Sequence, residues 1–429
     1  MDRNSPPLAA QERNGVSSGS PFSESPDFLK KEPVERRKTT VYRRSEGRWY
    51  HVGRRRAGDG RARSDVKQDI YQLTRPELGE RLAAWGAGSD SLRVLWRSLY
   101  RDLGDWNSPG LDLPLALRRQ LDETFSPPTP PKVARHQRSS DQLTRKFLLE
   151  LNDGVRIETV LMHFRDRATA CLSTQAGCAL DCVFCATGQA GFNRQLSTAE
   201  IVAQALFVER QLRESLPSRD RQSRAELRNL VLMGMGEPLL NYDAVMRALA
   251  ILGESSGMAI GAKQATISTV GVIPGIVRLA DEARPYSLAV SLHAATQSER
   301  LAMIPTAKAW PLDELLDACR YYTTIIGRKI FFEWTLVEGA NDSIEQARQL
   351  ADLLRDIPAQ VNLIPLNPTD GYAGEATQLE AARRFQTTLR ELGIPATVRQ
   401  RRGIDIAAGC GQLAASDPVS ISPPSVGTN

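Results

Sequence analysis

Cysteine and histidine are scarce in this sequence, with six and four among 429 residues. That density excludes a disulfide-stapled scaffold. There is no second Cys-x-x-Cys pair and no His-x-x-x-His, so the common paired-ligand zinc arrangements are missing as well. A closed zinc site would need Cys171 or Cys410 as a fourth ligand. No apolar run reaches the ~18 residues that a membrane-spanning helix needs, so no membrane association is expected. The opening stretch MDRNSPPLAA lacks the charged-then-apolar order of a secretory signal. The expected location is the cytoplasm, where thiols stay reduced and clustered cysteines serve as ligands or reagents.

Positive charge is present but uneven. The chain carries a net +5, yet Lys30 to Lys67 alone holds 14 basic and five acidic residues. Residues 1–66, rich in Ser, Pro, Gly and Arg, read as a disordered basic arm with at most a short strand at TTVYRR. Such arms contact nucleic acid by releasing counterions, or are simply solvated tails. Residues 67–126 show helical periodicity, with Thr74 as an N-cap and Glu77 three residues on, and Arg93, Arg97 and Arg101 along one face. They form a small helical accessory domain, either scaffolding or a docking surface. Residues 127–140, opened by SPPTPPK, read as a proline-rich linker. Residues 141–166 read as a short β-hairpin extension, RKFLLEL and RIETVLM about the turn NDG. The arginine-rich stretch 215–228 is an insertion, and 414–429 a disordered tail.

From 167 to 413 the pattern changes. The β-type runs ATACLST, NLVLMGMG, QATISTVG, YSLAVSLHA, KIFFEWTLV and QVNLIPLNP alternate with helical stretches. Strands that are apolar on both faces predict a parallel sheet, here an α/β fold with six β/α units curved into a partial (β/α)6 barrel. Sites in such folds lie at the C-terminal ends of the strands. Gln175, Gly236, Glu237, Ser268, Ser291, His293 and Asn367 fall there.

The run CALDCVFCATG holds Cys178, Cys182 and Cys185 on one loop after a strand. A cubane iron–sulfur cluster usually takes four thiolates, so three leave one iron open to a substrate. C-x3-C-x2-C resembles the radical S-adenosylmethionine (SAM) enzymes, in which the open iron chelates SAM and one electron cleaves it to methionine and a deoxyadenosyl radical. MGMGEP resembles that superfamily's Gly-Glu-Pro motif. Together with ACLSTQAG, SLHAATQSER, NLIPLNP and GIDIAAGCGQL, these stretches resemble the adenine-C2 methyltransferases that act on both 23S rRNA and tRNA. Gln400 and Arg401 depart from that family's pattern, which there has a basic and then a small hydroxyl residue.

The resemblance implies a radical SAM RNA methyltransferase with one [4Fe-4S] cluster on Cys178, Cys182 and Cys185, using two SAM per turnover. It implies methylation at C2 of adenosine 2503 in 23S rRNA and of adenosine 37 in tRNA. Cys410 would carry the methyl group, Cys171 would resolve the covalent RNA adduct through a transient disulfide, and Glu158 would accept the proton. Without the resemblance, strand spacing alone makes Glu158 a solvent-facing carboxylate. Gly236, Glu237, Ser268, Ser291, Leu292, His293 and Asn367 would contact SAM, with Phe184 against its adenine. A flavodoxin or ferredoxin would donate electrons, and the protein would be a monomer. Two other readings stand beside this one: methylation at adenine C8, as in antibiotic-resistance relatives, and a non-enzymatic RNA-binding protein with structural zinc.

Overall fold

Apolar runs become parallel strands where helices cover both faces, and the central sheet follows that rule. The structure, a computed structural model, describes residues 41–45, 48–52, 67–164, 167–215 and 227–415. Its main sheet has ten strands, each beside its neighbours in sequence. They are β1 (Lys132–Arg138), β2 (Thr144–Glu150), β3 (Arg156–Phe164), β4 (Arg167–Cys171), β5 (Leu227–Leu232), β6 (Ala265–Thr269), β7 (Ser287–Ser291), β8 (Ile330–Leu336), β9 (Ala359–Pro365) and β10 (Ala396–Val398). Neighbours from β4 to β10 pair in parallel. From β1 to β4 they are antiparallel. This is the predicted partial α/β barrel, with an antiparallel apron on its leading edge.

Helices cross between the parallel strands, among them Thr198–Glu214, Tyr242–Gly253, Ile273–Asp281 and Leu312–Ile326. The first begins at a reciprocal cap. Ser197 N donates to Glu200 Oε2 at 2.8 Å, and Glu200 N donates to Ser197 Oγ at 3.2 Å. Ile267, Leu288, Val290, Phe332, Trp334 and Leu363 fill the core between sheet and helices. Each such side chain contributes roughly 1.5–3 kcal/mol of burial.

Two expectations need correction at the leading edge. The linker expected over 127–140 is shorter, because Lys132–Arg138 forms the edge strand β1. Its KVARHQR sequence has little intrinsic strand character, and pairing with β2 makes it a strand. The hairpin expected over 141–166 turns at Asp153–Gly154, where Gly154 has φ +80°. It is no separate extension, since β3 pairs with β4 and joins the barrel sheet.

The helices Arg75–Ala84, Ser89–Tyr100 and Leu115–Thr124 belong to the same unit as the barrel. Thr74 donates from both its backbone N and its hydroxyl to Glu77 Oε2, each at 2.8 Å. Glu77 pairs in turn with Arg247. Arg210 and Arg213 donate to the carbonyls of Leu103 and Arg101 at 2.6 and 2.8 Å. Arg93 and Arg97 each sit beside a local carboxylate, Asp90 and Asp102. At the expected TTVYRR strand, Val41–Ser45 pairs with Arg48–Val52 as a hairpin belonging to a second unit. The rest of the predicted arm, most of the 215–228 insertion and the tail after 415 lie outside the described residues. Among the described residues, no helix is long and apolar enough to cross a membrane.

Candidate active site

The cysteine loop leaves the C-terminal end of β4 and is cinched at its base. Gln175–Gly177 pairs antiparallel with Phe192–Gln195, and Cys178 N donates to Gly191 O at 2.9 Å. Gly177 has φ +75°, and a Cβ there would lie 1.9 Å from the Gly191 oxygen, so only glycine closes this loop. Cys185 N donates to Cys182 O at 3.1 Å, and a short helix, Ala186–Gln189, follows. Leu180, Met303, Ile304, Val337 and Leu366 pack around Cys178 and Cys182, with Phe184 and Cys185 against them. Burial pushes the Cys178 thiol up to about 12 and holds the Cys182 thiol well above its ordinary value, with neighbouring cysteines adding to both shifts.

All six cysteines are free thiols. Among the described residues, no three His, Cys, Asp or Glu side chains converge as ligands of a single ion. Three reduced thiols on one loop, two buried in an apolar wall and Cys185 half-buried against it, are a donor set suited to a multi-iron cluster, whose positive irons favour the thiolate forms that burial opposes.

The expected SAM contacts line the adjacent strand ends. Gly236 has φ +98°, and a Cβ there would meet Gln175 Cβ at 2.4 Å. Glu237 is buried, and its carboxylate accepts from Leu239 N at 3.0 Å and Val270 N at 2.9 Å. Burial raises its pKa to about 7. Ser268 and Ser291 are half-buried near the ends of β6 and β7. Leu292 is fully buried and donates its N–H to Glu333 O at 3.0 Å. Asn367, after β9, has a buried Oδ1 with no partner, an acceptor left for a ligand.

His293 takes φ +60° and places its ring edge-on to Phe184, with centroids 4.8 Å apart. Its Nδ1 accepts from Thr335 N at 2.9 Å, which fixes the neutral tautomer with its proton on Nε2. Burial, then the charge of Arg300, lowers its pKa from 6.5 to about 3. Over that window the unfolded chain takes up a proton that the folded chain refuses. The stability is therefore whole above the unfolded value and falls as pH drops, by at most about 1.4 kcal/mol per pH unit. His293→Asn keeps an acceptor and tolerates positive φ. Urea unfolding of the apoprotein at pH 7.5 and 5.5 should show the wild type losing about 1 kcal/mol more than the variant.

The C-terminal loop closes over this rim. Ala186 N donates to Gly411 O at 2.7 Å, and the Thr187 hydroxyl donates to Leu413 O. Asn367 Nδ2 donates to Cys410 O at 3.0 Å, and Gln412 Nε2 donates to Pro368 O at 2.9 Å. Cys410 is thereby held against the cysteine loop. Residue 410 is exposed at the rim, while burial of its thiol among protein atoms raises the thiol pKa. Cys171, at the end of β4, is buried, and its thiol is pushed up first by burial and then by the nearby Cys410.

Glu158 departs from the solvent-facing position that strand spacing favours. It is buried, with Oε1 2.9 Å from Lys146 Nζ and Oε2 accepting from Ala414 N at 2.9 Å. Lys146 also donates to Ala407 O at 3.1 Å. Sequence reasoning passed over Lys146. Its signal was a lysine on the same strand face as Leu148, and the pairing register sets it diagonally from Glu158. Beside Ala414 and Ala415 opens a cavity of about 800 Å³, lined also by Met235, Gly177, Phe192 and Arg156.

The fold and the rim together define a class, the radical SAM superfamily, whose family model matches residues 172–351. A radical SAM methyltransferase of Sphaerobacter thermophilus superposes with a TM-score of 0.75 at 44% identity, over 81% of this chain and 100% of its own. The dual-specificity RNA methyltransferase RlmN 1 of Myxococcus xanthus is 52% identical over 361 residues, covering 82% of this chain and 96% of its own length. The probable dual-specificity RNA methyltransferase RlmN 2 of Opitutus terrae is 53% identical over 374 residues, covering 81% and 87%. The chain belongs to the RlmN family of radical SAM RNA methyltransferases. This family uses SAM and a 4Fe-4S cluster.

Proposed function

We propose that this protein methylates C2 of adenosine in RNA, at adenosine 2503 of 23S rRNA and adenosine 37 of tRNA. The observation that carries the reading is the convergence of Cys410, Cys171 and Glu158 beside the three-cysteine loop. In this proposal Cys178, Cys182 and Cys185 hold one [4Fe-4S] cluster, and Gly236, Glu237, Ser268, Ser291, Leu292, His293 and Asn367 hold SAM, two per turnover. When bound, these groups supply a methyl group and a one-electron route to a carbon radical.

The chain's own residues do the rest. Cys410 Sγ carries the methyl as a thioether, because thiolate sulfur is a strong nucleophile and adenine C2 is not. Solvent access at Cys410 lets a base reach that sulfur, once extruded from its stack. With the carbon bridged between Cys410 Sγ and adenine C2, Glu158 takes the C2 proton. Lys146 and the Ala414 N–H hold the carboxylate in place for it. Cys171 Sγ, as thiolate, then attacks Cys410 Sγ; the sulfur–carbon bond breaks, the departing carbon keeps the electron pair and takes a proton from solvent to become the methyl group, and methylated RNA leaves behind a disulfide. External reductant restores both thiols. A flavodoxin or ferredoxin supplies the electron, and the enzyme acts as a cytoplasmic monomer.

The test is mass spectrometry of nucleosides from 23S rRNA and tRNA after anaerobic reaction of the reconstituted protein with reductant and methyl-labelled SAM. Labelled 2-methyladenosine in both RNAs is the expected result. Labelled 8-methyladenosine would overturn the C2 assignment, and label in one RNA alone would overturn the dual specificity.

A further inference from the structure

Arg300 is fully buried in the short helix Gln297–Met303. Its Nη2 donates to the carbonyls of Val270 and Ser291, at the ends of β6 and β7. Nε and Nη1 have no partner. Among the described residues, no carboxylate forms a salt bridge with it. Nearby acceptors are committed elsewhere: Glu237 to Leu239 N and Val270 N, and His293 Nδ1 to Thr335 N. A buried guanidinium with no counter-charge is costly in low dielectric, so a fold that keeps one here has an anion to set against it.

The surroundings identify that anion. Met303, the last residue of the helix, and Ile304 just after it form the wall against Cys178 and Cys182, and Val270 packs on the same wall. Met303 O accepts from Val183 N, one residue after Cys182, at 3.1 Å. Val270, whose carbonyl takes the Arg300 guanidinium, and Met303 thus set the buried charge behind the wall that carries Cys182. A cubane held by three thiolates is anionic, gains a further negative charge on reduction, and has a potential set partly by local charge.

We infer that Arg300 is a built-in countercation of the [4Fe-4S] centre and holds its reduction potential up from beside Cys182. This rests on the assignment of Cys178, Cys182 and Cys185 as the ligands. Arg300 acts as a positioning residue through charge and touches neither RNA nor reacting atoms. It makes the one-electron reduction by a flavodoxin- or ferredoxin-class donor easier, with no bond formed or broken at the arginine.

The experiment is an EPR-monitored potentiometric titration of the full-length, anaerobically reconstituted protein without SAM. The wild type is compared with Arg300→Gln, Arg300→Met and Arg300→Lys. Glutamine keeps donors for the two carbonyls and methionine keeps bulk, so whichever neutral variant retains its iron reports the effect. The expected result is a shift of the reduction equilibrium toward the oxidised form by at least tenfold, about 59 mV in midpoint for one electron, with Arg300→Lys near the wild type. An unmoved midpoint in an iron-loaded neutral variant overturns the inference. So does a midpoint that falls equally in Arg300→Lys, or one that stays put while SAM affinity by equilibrium dialysis drops. A wild type that assembles no cubane signal would instead remove the ligand assignment, and the inference with it.

Discussion

Cys171→Ala is expected to stop turnover with enzyme and RNA still joined. In the variant, Cys410 can accept the methyl group and form the carbon bridge to adenine. No thiolate then stands at the end of β4 to attack the Cys410 sulfur. Multiple-turnover methylation should fall by roughly 10³-fold or more, as when one member of a cooperating nucleophilic set is removed. A band of protein plus RNA, stable to denaturant and to thiols and removed by nuclease, should accumulate toward one equivalent. Cys410→Ala should show neither product nor band, since the carbon has no sulfur to ride on. A Cys171→Ala enzyme that turns over freely would remove Cys171 from the resolving step. A Cys410→Ala enzyme that methylates RNA would remove the carrier. Cys171 sits in β4, paired on one side with Val160 and on the other with Val231, so alanine changes little but the thiol.

Lys146→Met is expected to destabilise the protein by about 3–5 kcal/mol, because it strands a buried carboxylate. The side chains of Lys146 and Glu158 are 8% and 6% exposed, so neither charge can turn to water for solvation. The same change frees the Ala407 carbonyl and loosens the loop that ends in Cys410. Urea unfolding should show a lower midpoint with an unchanged slope. The double variant Lys146→Met/Glu158→Gln should recover part of the loss, because no unpaired charge remains. Glu158→Gln alone keeps an acceptor for Ala414 N and costs less stability. It cannot take a proton, so single-turnover methylation should fall by about 10²–10⁴-fold, the usual worth of a positioned general base. Retention of full activity in Glu158→Gln would exclude the proton-acceptor role.

Much of the barrel is legible in the linear sequence because its information is local. Six apolar runs separated by helical ones predict parallel strands, and they pair as β4 to β9. The edge strand β1 is not legible, since KVARHQR is held in a sheet by pairing alone. Glu158 reads as exposed because a carboxylate on a strand usually is, and its partner lies on the neighbouring strand. Asn367 is visible as a polar residue after a strand, but its grip on the Cys410 carbonyl, 43 positions along the chain, is not. Arg300, an arginine in a polar-looking SER triplet, carries no hint in sequence of being the fully buried cation beside Cys182.

The sequence by itself determined the three-thiol loop, because Cys178, Cys182 and Cys185 are so close in chain that any turn after β4 brings them together. It also determined the strand ends where the residues proposed to contact SAM sit, since apolar periodicity stops there. The tertiary structure decided the rest of the site. Glu158 and Ala414 meet across 256 positions, and Lys146 and Ala407 across 261. No local propensity encodes such contacts. They form because strand register buries a lysine and a carboxylate side by side, and because the C-terminal loop supplies the N–H and C=O groups that a buried ion pair must find.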